Sequence, residues 1–147
     1  DRLGDVAGQM GQLGEAKAYY ERSLKIFEAL AAADKNDAQA QSDLSISFER
    51  LASTSRSLGQ LDSALSYQRR ALTISQQLAQ LAPLSVEMQR TVLVHHLQLA
   101  FLHQQRKDRA AAQQEAKAAA DLLGTLRARL PKQDAEGLDK AIRSLLR

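Results

Sequence analysis

The sequence predicts an all-α protein built from antiparallel helical hairpins that stack on one another. Three observations predict this class. Apolar residues recur at spacings of three and four along most of the chain, which is the period of one helical face. Residue patterns return after 48 positions, as Gly59-Gln60-Leu61 repeats Gly11-Gln12-Leu13. Aromatic residues make up only 4% of the chain, so the core must consist of Leu and Ala, which suit close helix packing.

The second hairpin has the clearest pattern. Leu44, Phe48 and Leu51 share one face of a helix predicted over 38–57. Gly59 is expected to end that helix, because glycine tolerates a positive φ. A second helix over 61–81 is apolar on more than one side and should be sandwiched between neighbours. Pro83 closes it.

The residue pattern of this hairpin recurs 48 positions before and 48 positions after it, so the same hairpin is predicted in the rest of the chain. Residues 13–33 and 109–130 match 61–81, and 85–106 match 38–57. In the last hairpin Lys107 replaces the turn glycine. The predicted single domain, 1–147, comprises a truncated repeat 1 (1–33), repeat 2 (38–82), repeat 3 (85–130) and a capping helix (134–146).

Two sets of core residues follow from the same offset. The first repeat is expected to turn inward Leu13, Ala16, Tyr20, Leu24, Phe27 and Leu30. The helix over 85–106 is expected to carry the core stripe Met88, Val92, His96, Leu99, Ala100 and His103. In the 61–81 helix, Tyr67, Ile74 and Leu81 should add a neighbouring apolar stripe.

The C-terminal helix is predicted to cover the open apolar face at the end of the stack, as a capping helix does. Asp134 is the expected N-cap, with Leu138 and Ile142 on the apolar side and Lys140 and Arg143 on the polar side. A basic amphipathic membrane helix would need a longer and more basic polar face.

The spacing within each unit resembles the tetratricopeptide repeat over residues 1–130. The first unit reads Leu3-Gly4, Ala7, Gly11, Leu13, Ala16, Tyr20 and Ser23-Leu24. The second reads Leu51-Ala52, Ser55, Gly59, Leu61, Ala64, Gln68 and Ala71-Leu72, and the third is degenerate. The usual repeat has about 34 residues. The longer period here is similar to the long-helix variant of kinesin light chains and bacterial signalling proteins. The resemblance implies a right-handed superhelix in which Gly4, Ala16, Ala64 and Ala112 permit close helix approach.

The resemblance also implies a function, namely a scaffold that binds a peptide or partner protein in a concave groove. The first helices of the hairpins would line the groove with Glu49, Arg50, Ser53, Arg56, Arg90, Val94, Leu97, Gln98, Phe101, Gln104 and Gln105. Val94, Leu97 and Phe101 form an apolar stripe away from the core stripe, and Phe101 is the expected anchor. Alternatively the capping helix or a second molecule covers this stripe.

Two further functions stay open. The chain could be a regulatory or assembly module that packs on its own upstream domain or self-associates, or a small-molecule sensor. Net charge changes from −3 over 1–50 to +4 over 101–147, which is typical of a solvated surface but also suits an acidic partner or head-to-tail contact. Family members that bind C-terminal carboxylates use Lys and Asn at positions that here hold Ile46, Arg50, Val94 and Gln98. That activity is therefore not expected.

Several classes of function are disfavoured. The chain has no cysteine, and His95, His96 and His103 lack the ligand spacing of a metal site, so no metal or cofactor is expected and a structural role for His96 and His103 is preferred. No catalytic motif stands out, so the protein is not expected to be an enzyme. Few aromatics accompany the basic residues, which disfavours nucleic acid, and no apolar run approaches the roughly 20 residues of a membrane span. The chain begins with Asp1, so we expect the C-terminal region of a larger, bacterial, cytoplasmic protein.

Overall fold

Six α-helices make up most of the computed structural model, which describes the backbone of residues 2–147 and the side chains from Gln9 onward. The helices are α1 (Arg2–Ala33), α2 (Ala38–Ser57), α3 (Leu61–Leu81), α4 (Val86–Gln105), α5 (Arg109–Leu126) and α6 (Lys132–Leu146), with a 3₁₀ turn at Arg127–Arg129. No strand occurs in residues 2–147, and consecutive helices pack against each other. The predicted all-α, helical-repeat class is confirmed.

Side-chain caps explain where three of these helices begin. The carboxylate of Asp37 accepts a hydrogen bond from the Ala40 amide at 3.1 Å. Asp108 caps α5 in the same way, and the Ser85 hydroxyl caps α4. Each cap satisfies one of the amide groups that have no partner within the first turn of a helix. The predicted starts of α2 and α5 therefore agree with the structure.

The turns after α2 and α4 share one hydrogen-bond pattern. The Gln60 amide donates to the Ser55 carbonyl at 2.8 Å, and the Asp108 amide donates to the His103 carbonyl at 2.9 Å. This is the Schellman arrangement, which requires a left-handed residue just after the helix. Gly59 fills that position as predicted, with φ of 75°.

The first repeat differs from its prediction. Gly11 was expected to end one helix, yet it lies inside α1, which runs from Arg2 to Ala33 without a turn. Residues 9–12 are exposed. A continuous helix keeps the backbone hydrogen bonds that a turn at Gly11 would break. The close-packing role expected of Gly4, and the matches of Leu3 and Ala7, lie outside the described side chains.

Contacts divide the chain into two compact units, residues 1–71 and 72–147, with the boundary inside α3. In the first unit the core includes Leu24, Phe48 and Leu51, contributed by α1 and α2. In the second, Leu93, Leu99 and several alanines of α5 are buried. The single-domain organisation stays a prediction.

The C-terminal segment begins earlier than expected. Helix α5 stops at Leu126 rather than at 130, and Leu130 is extended because the residue before a proline avoids the helical region. Pro131, not Asp134, occupies the N-cap of α6. Asp134 lies in the first turn of α6, where a carboxylate interacts favourably with the helix dipole.

Two residues expected to face inward are exposed. Leu30 of α1 is 55% exposed, and Leu81 at the end of α3 is 78% exposed. The other inward positions of α1 are half-buried or, for Leu24, buried. Leu81 lies in the last turn of α3, just before the Pro83 junction, where the helix ends.

Candidate binding surface

Helix α4 is held by three neighbouring elements of the second unit. Toward α3, the imidazole Nδ1 of His95 lies 2.9 Å from the Ser75 hydroxyl, and His95 is only 1% exposed. A buried imidazole requires such a partner, because an unsatisfied polar group in the interior is costly. His96 was expected on the core stripe of this helix, but His95 is the buried residue and His96 is only half-buried.

His96 is half-buried and faces α5. Its Nδ1 lies 2.6 Å from a carboxylate oxygen of Glu115. Glu115 is nineteen positions away in sequence, so no local spacing could reveal this pair. His103 is buried as predicted, whereas His96 is only half-buried and pairs with Glu115 instead of packing as a core residue.

A hydrophobic cluster joins α4 to α5 and α6. Leu93, Leu123 and Ile142 are buried at its centre, and Leu97 packs against them as a half-buried neighbour. Leu97 was expected to lie on the apolar stripe outside the core. The structure corrects this, because Leu97 packs against a cluster to which α5 and α6 both contribute.

The remaining face of α4 is the candidate binding surface. Arg90, Gln98, Phe101, Gln104 and Gln105 are exposed there, and Val94 is half-buried. Phe101 is 40% exposed, an unusual position for a large aromatic side chain in a chain with so few of them. The Arg90 guanidinium lies 4.0 Å from Asp134, which fixes one end of this surface to α6.

The groove residues expected on α2 belong to the first unit. Ser53 and Arg56 are exposed, and Glu49 is half-buried. The Arg50 guanidinium lies 6.0 Å from the centre of the Tyr20 ring, a distance at which a cation is attracted to the aromatic face. Arg50 thus contributes to the contact between α1 and α2.

The structure also shows a groove that sequence reasoning missed. It has a volume of about 640 Å³ and lies between the second half of α3, α4 and α5. Gln76, Gln80 and Gln89 line it together with His96 and Asp121. These polar residues come from three helices, so their proximity could be predicted only from a correct packing of all three.

The described residues offer no metal centre. Among them, no group of three or more His, Cys, Asp or Glu side chains is arranged so that it could hold a metal ion. None of the described helices is long and apolar enough to cross a membrane.

Family comparison agrees with the helical architecture. Two models of the tetratricopeptide repeat match the chain, one over residues 1–30 and one over residues 47–80. The chain belongs to the tetratricopeptide repeat family. The second match includes the last part of α2 and nearly all of α3. No curated protein matches the chain.

Membership of this family has a general functional meaning. Tetratricopeptide repeats are protein–protein interaction modules, and the family typically provides non-enzymatic scaffolds. Residues 2–30 of the first match lie within α1, so this tetratricopeptide repeat protein carries nearly all of that matched stretch on one uninterrupted helix.

Proposed function

We propose that the protein binds a peptide segment of a partner protein along the exposed face of α4. The observation that carries the proposal is the exposure of Phe101 on a helix whose other sides pack against α3, α5 and α6. Aromatic side chains in such positions commonly anchor a partner, because they bury a large area on binding.

The residues around Phe101 suit a peptide. Gln98, Gln104 and Gln105 carry amides that can both donate and accept hydrogen bonds, as a peptide backbone requires. Val94 supplies further apolar area one to two turns away. A mixed surface of this kind favours an extended or helical segment with one apolar anchor.

The α2 residues Glu49, Ser53 and Arg56 are proposed as a second contact region in the first unit. Their charges would affect the rate and selectivity of association more than the affinity, since exposed ion pairs contribute little net free energy. Leu97 is not proposed as a residue that contacts the peptide, because it packs against the hydrophobic cluster.

Selection of peptides from a displayed random library on the immobilised chain tests this proposal. We expect the selected peptides to bind at least tenfold more weakly to the Phe101→Ala variant, because a central aromatic anchor contributes about 2 kcal/mol or more. Leu84→Ala is the matched control, since Leu84 is also exposed and apolar but lies in the loop before α4. Equal losses in both variants, or no loss in Phe101→Ala, would show that the α4 face is not the binding surface. Concentration-dependent dimerisation that Phe101→Ala abolishes would instead favour self-association.

A further inference from the structure

A second interaction surface lies on α1. Tyr19, Ile26 and Leu30 are 60%, 63% and 55% exposed, and their spacing of seven and four places them on one side of the helix. We call these three residues the Tyr19 stripe. Helix α2 packs on another side of α1, where Leu24 and Ala31 are buried. There the side-chain amide of Gln41 donates a hydrogen bond to the Ala31 carbonyl at 3.3 Å.

The chain contains the same stripe a second time, in α3. Tyr67, Ile74 and Leu78 stand 48 positions after Tyr19, Ile26 and Leu30, with identical residue types at all three places. In α3 these side chains are covered, since Ile74 is only 8% exposed and the other two are half-buried. One apolar pattern is therefore buried in α3 and exposed in α1.

Helix α2 covers the first part of this pattern in α3. The ring of Phe48 stacks on the ring of Tyr67 with centroids 6.2 Å apart, and the Arg70 guanidinium lies 4.5 Å from the centre of the Phe48 ring. Small residues let α2 and α3 approach closely at this point. Ala71 is fully buried, and its carbonyl accepts a hydrogen bond from the Ser45 hydroxyl at 3.4 Å. An aromatic side chain of α2 is thus held between a tyrosine and an arginine of α3.

Helix α1 repeats the residues that hold this aromatic side chain. Arg22 stands three positions after Tyr19, as Arg70 does after Tyr67, and both Tyr19 and Arg22 are exposed. Ala16 and Ser23 stand 48 positions before Ala64 and Ala71. Ala64 and Ala71 are fully buried in α3, whereas Ala16 and Ser23 are half-buried in α1. Helix α1 therefore carries an aromatic-binding position flanked by small residues.

We propose that the Tyr19 stripe docks one amphipathic helix of the same chemical type as α2, supplied by a partner protein. The partner helix runs antiparallel to α1, as α2 does to α3, and inserts an aromatic side chain between Tyr19 and Arg22. Small residues one and two turns from that aromatic allow close approach at Ala16 and Ser23. This surface is made of other residues than those of the α4 face, so the inference does not depend on the function proposed above.

The probe is a synthetic peptide with the sequence of residues 38–57, blocked at both ends and fluorescently labelled, titrated into the intact chain. We expect saturable binding, with at least a tenfold loss on Ile26→Glu in the chain and a similar loss on Phe48→Ala in the peptide. Ala32→Glu is the matched control, because Ala32 is exposed on a side of α1 away from the Tyr19 stripe and from Arg22. The helical signal and melting temperature of all chain variants should stay unchanged, since the substituted side chains are exposed.

Three results would overturn the proposal. Absence of saturable binding would show that the stripe does not accept such a helix. Binding that survives Ile26→Glu would show that the peptide replaces α2 at its own site. Sedimentation showing a dimer that Ile26→Glu dissociates, with no peptide binding, would identify a second copy of the chain as the occupant.

Discussion

Lys107 adopts the left-handed backbone conformation of Gly59, 48 positions earlier in the chain. The φ angles are 63° and 75°, and the two residues complete the same pair of hydrogen bonds at the ends of α4 and α2. In this conformation Cβ lies close to the following carbonyl oxygen, which disfavours residues that have a side chain. Glycine has no Cβ and adopts the conformation freely, and asparagine and aspartate adopt it more readily than other residues do. The third hairpin thus keeps the turn of the second although it has lost the glycine.

Replacing Lys107 by glycine should stabilise the protein. The left-handed conformation costs a non-glycine residue about 1–2 kcal/mol, and the greater freedom of glycine in the unfolded chain offsets part of that gain. We expect the free energy of unfolding to rise by about 0.5–1 kcal/mol, measured by denaturant titration. Lys107→Ala is the control, because it removes the charge and keeps the strain. If Lys107→Ala stabilises the protein as much as Lys107→Gly does, loss of the charge and not relief of backbone strain is responsible.

Ala64→Leu should destabilise the protein more than Ala110→Leu. Ala64 is fully buried in α3, and the added carbons of leucine would push α3 away from its neighbours at a cost of about 1–3 kcal/mol. Ala110 is exposed at the start of α5, where the larger side chain meets solvent. Equal denaturation midpoints for the two variants would contradict the packing at Ala64.

Leu97 and Phe101 should differ in their effect on stability although both lie on α4. Leu97→Glu places a carboxylate against the cluster of Leu93 and Ile142, and we expect a loss of about 2 kcal/mol or more. Phe101→Glu should leave the melting temperature nearly unchanged, because the side chain is already partly in water. Thermal unfolding followed by circular dichroism distinguishes the two. A large loss of stability in Phe101→Glu would show that Phe101 contributes to the core rather than to a binding surface.

Tyr67 should ionise at higher pH than an ordinary tyrosine. Burial is the main cause of its raised pKa, and the negative charge of Glu21 is the next. Since the neutral phenol is favoured in the folded state, its contribution to stability is present below pH 10 and decreases as the pH rises above it. The difference in phenolate absorbance between the wild type and Tyr67→Phe reports this ionisation.

Glu21→Gln tests the electrostatic part of that shift. Removing the negative charge should lower the pKa of Tyr67 toward its ordinary value of 10.0, whereas Glu15→Gln should leave it in place. An unchanged titration in Glu21→Gln would show that the charge of Glu21 does not raise the pKa of Tyr67.

The sequence by itself determined the helices, their order and most of their ends. Gly59 acts within a few residues of itself, so its turn could be predicted without knowing what packs nearby. The one N-cap that was predicted, Asp134, lies instead in the first turn of α6. The three-and-four spacing of apolar residues predicted the bounds of α2 and α3 to the residue, and the spacing within each unit led to the family. The same pattern was misleading at Gly11, which matches Gly59 in sequence but lies inside the continuous helix α1.

Tertiary structure decided which apolar residues are core and which are available to a partner. Ile26 and Ile74 occupy the same register position in two helices, yet one is exposed and the other buried. Leu97 and Phe101 lie one turn apart on α4, yet only the first packs against the hydrophobic cluster that α5 and α6 help to form. His96 meets a carboxylate from α5 that no spacing on its own helix indicates. Burial depends on the elements that surround a helix face, and a periodic sequence specifies the face without specifying its neighbours.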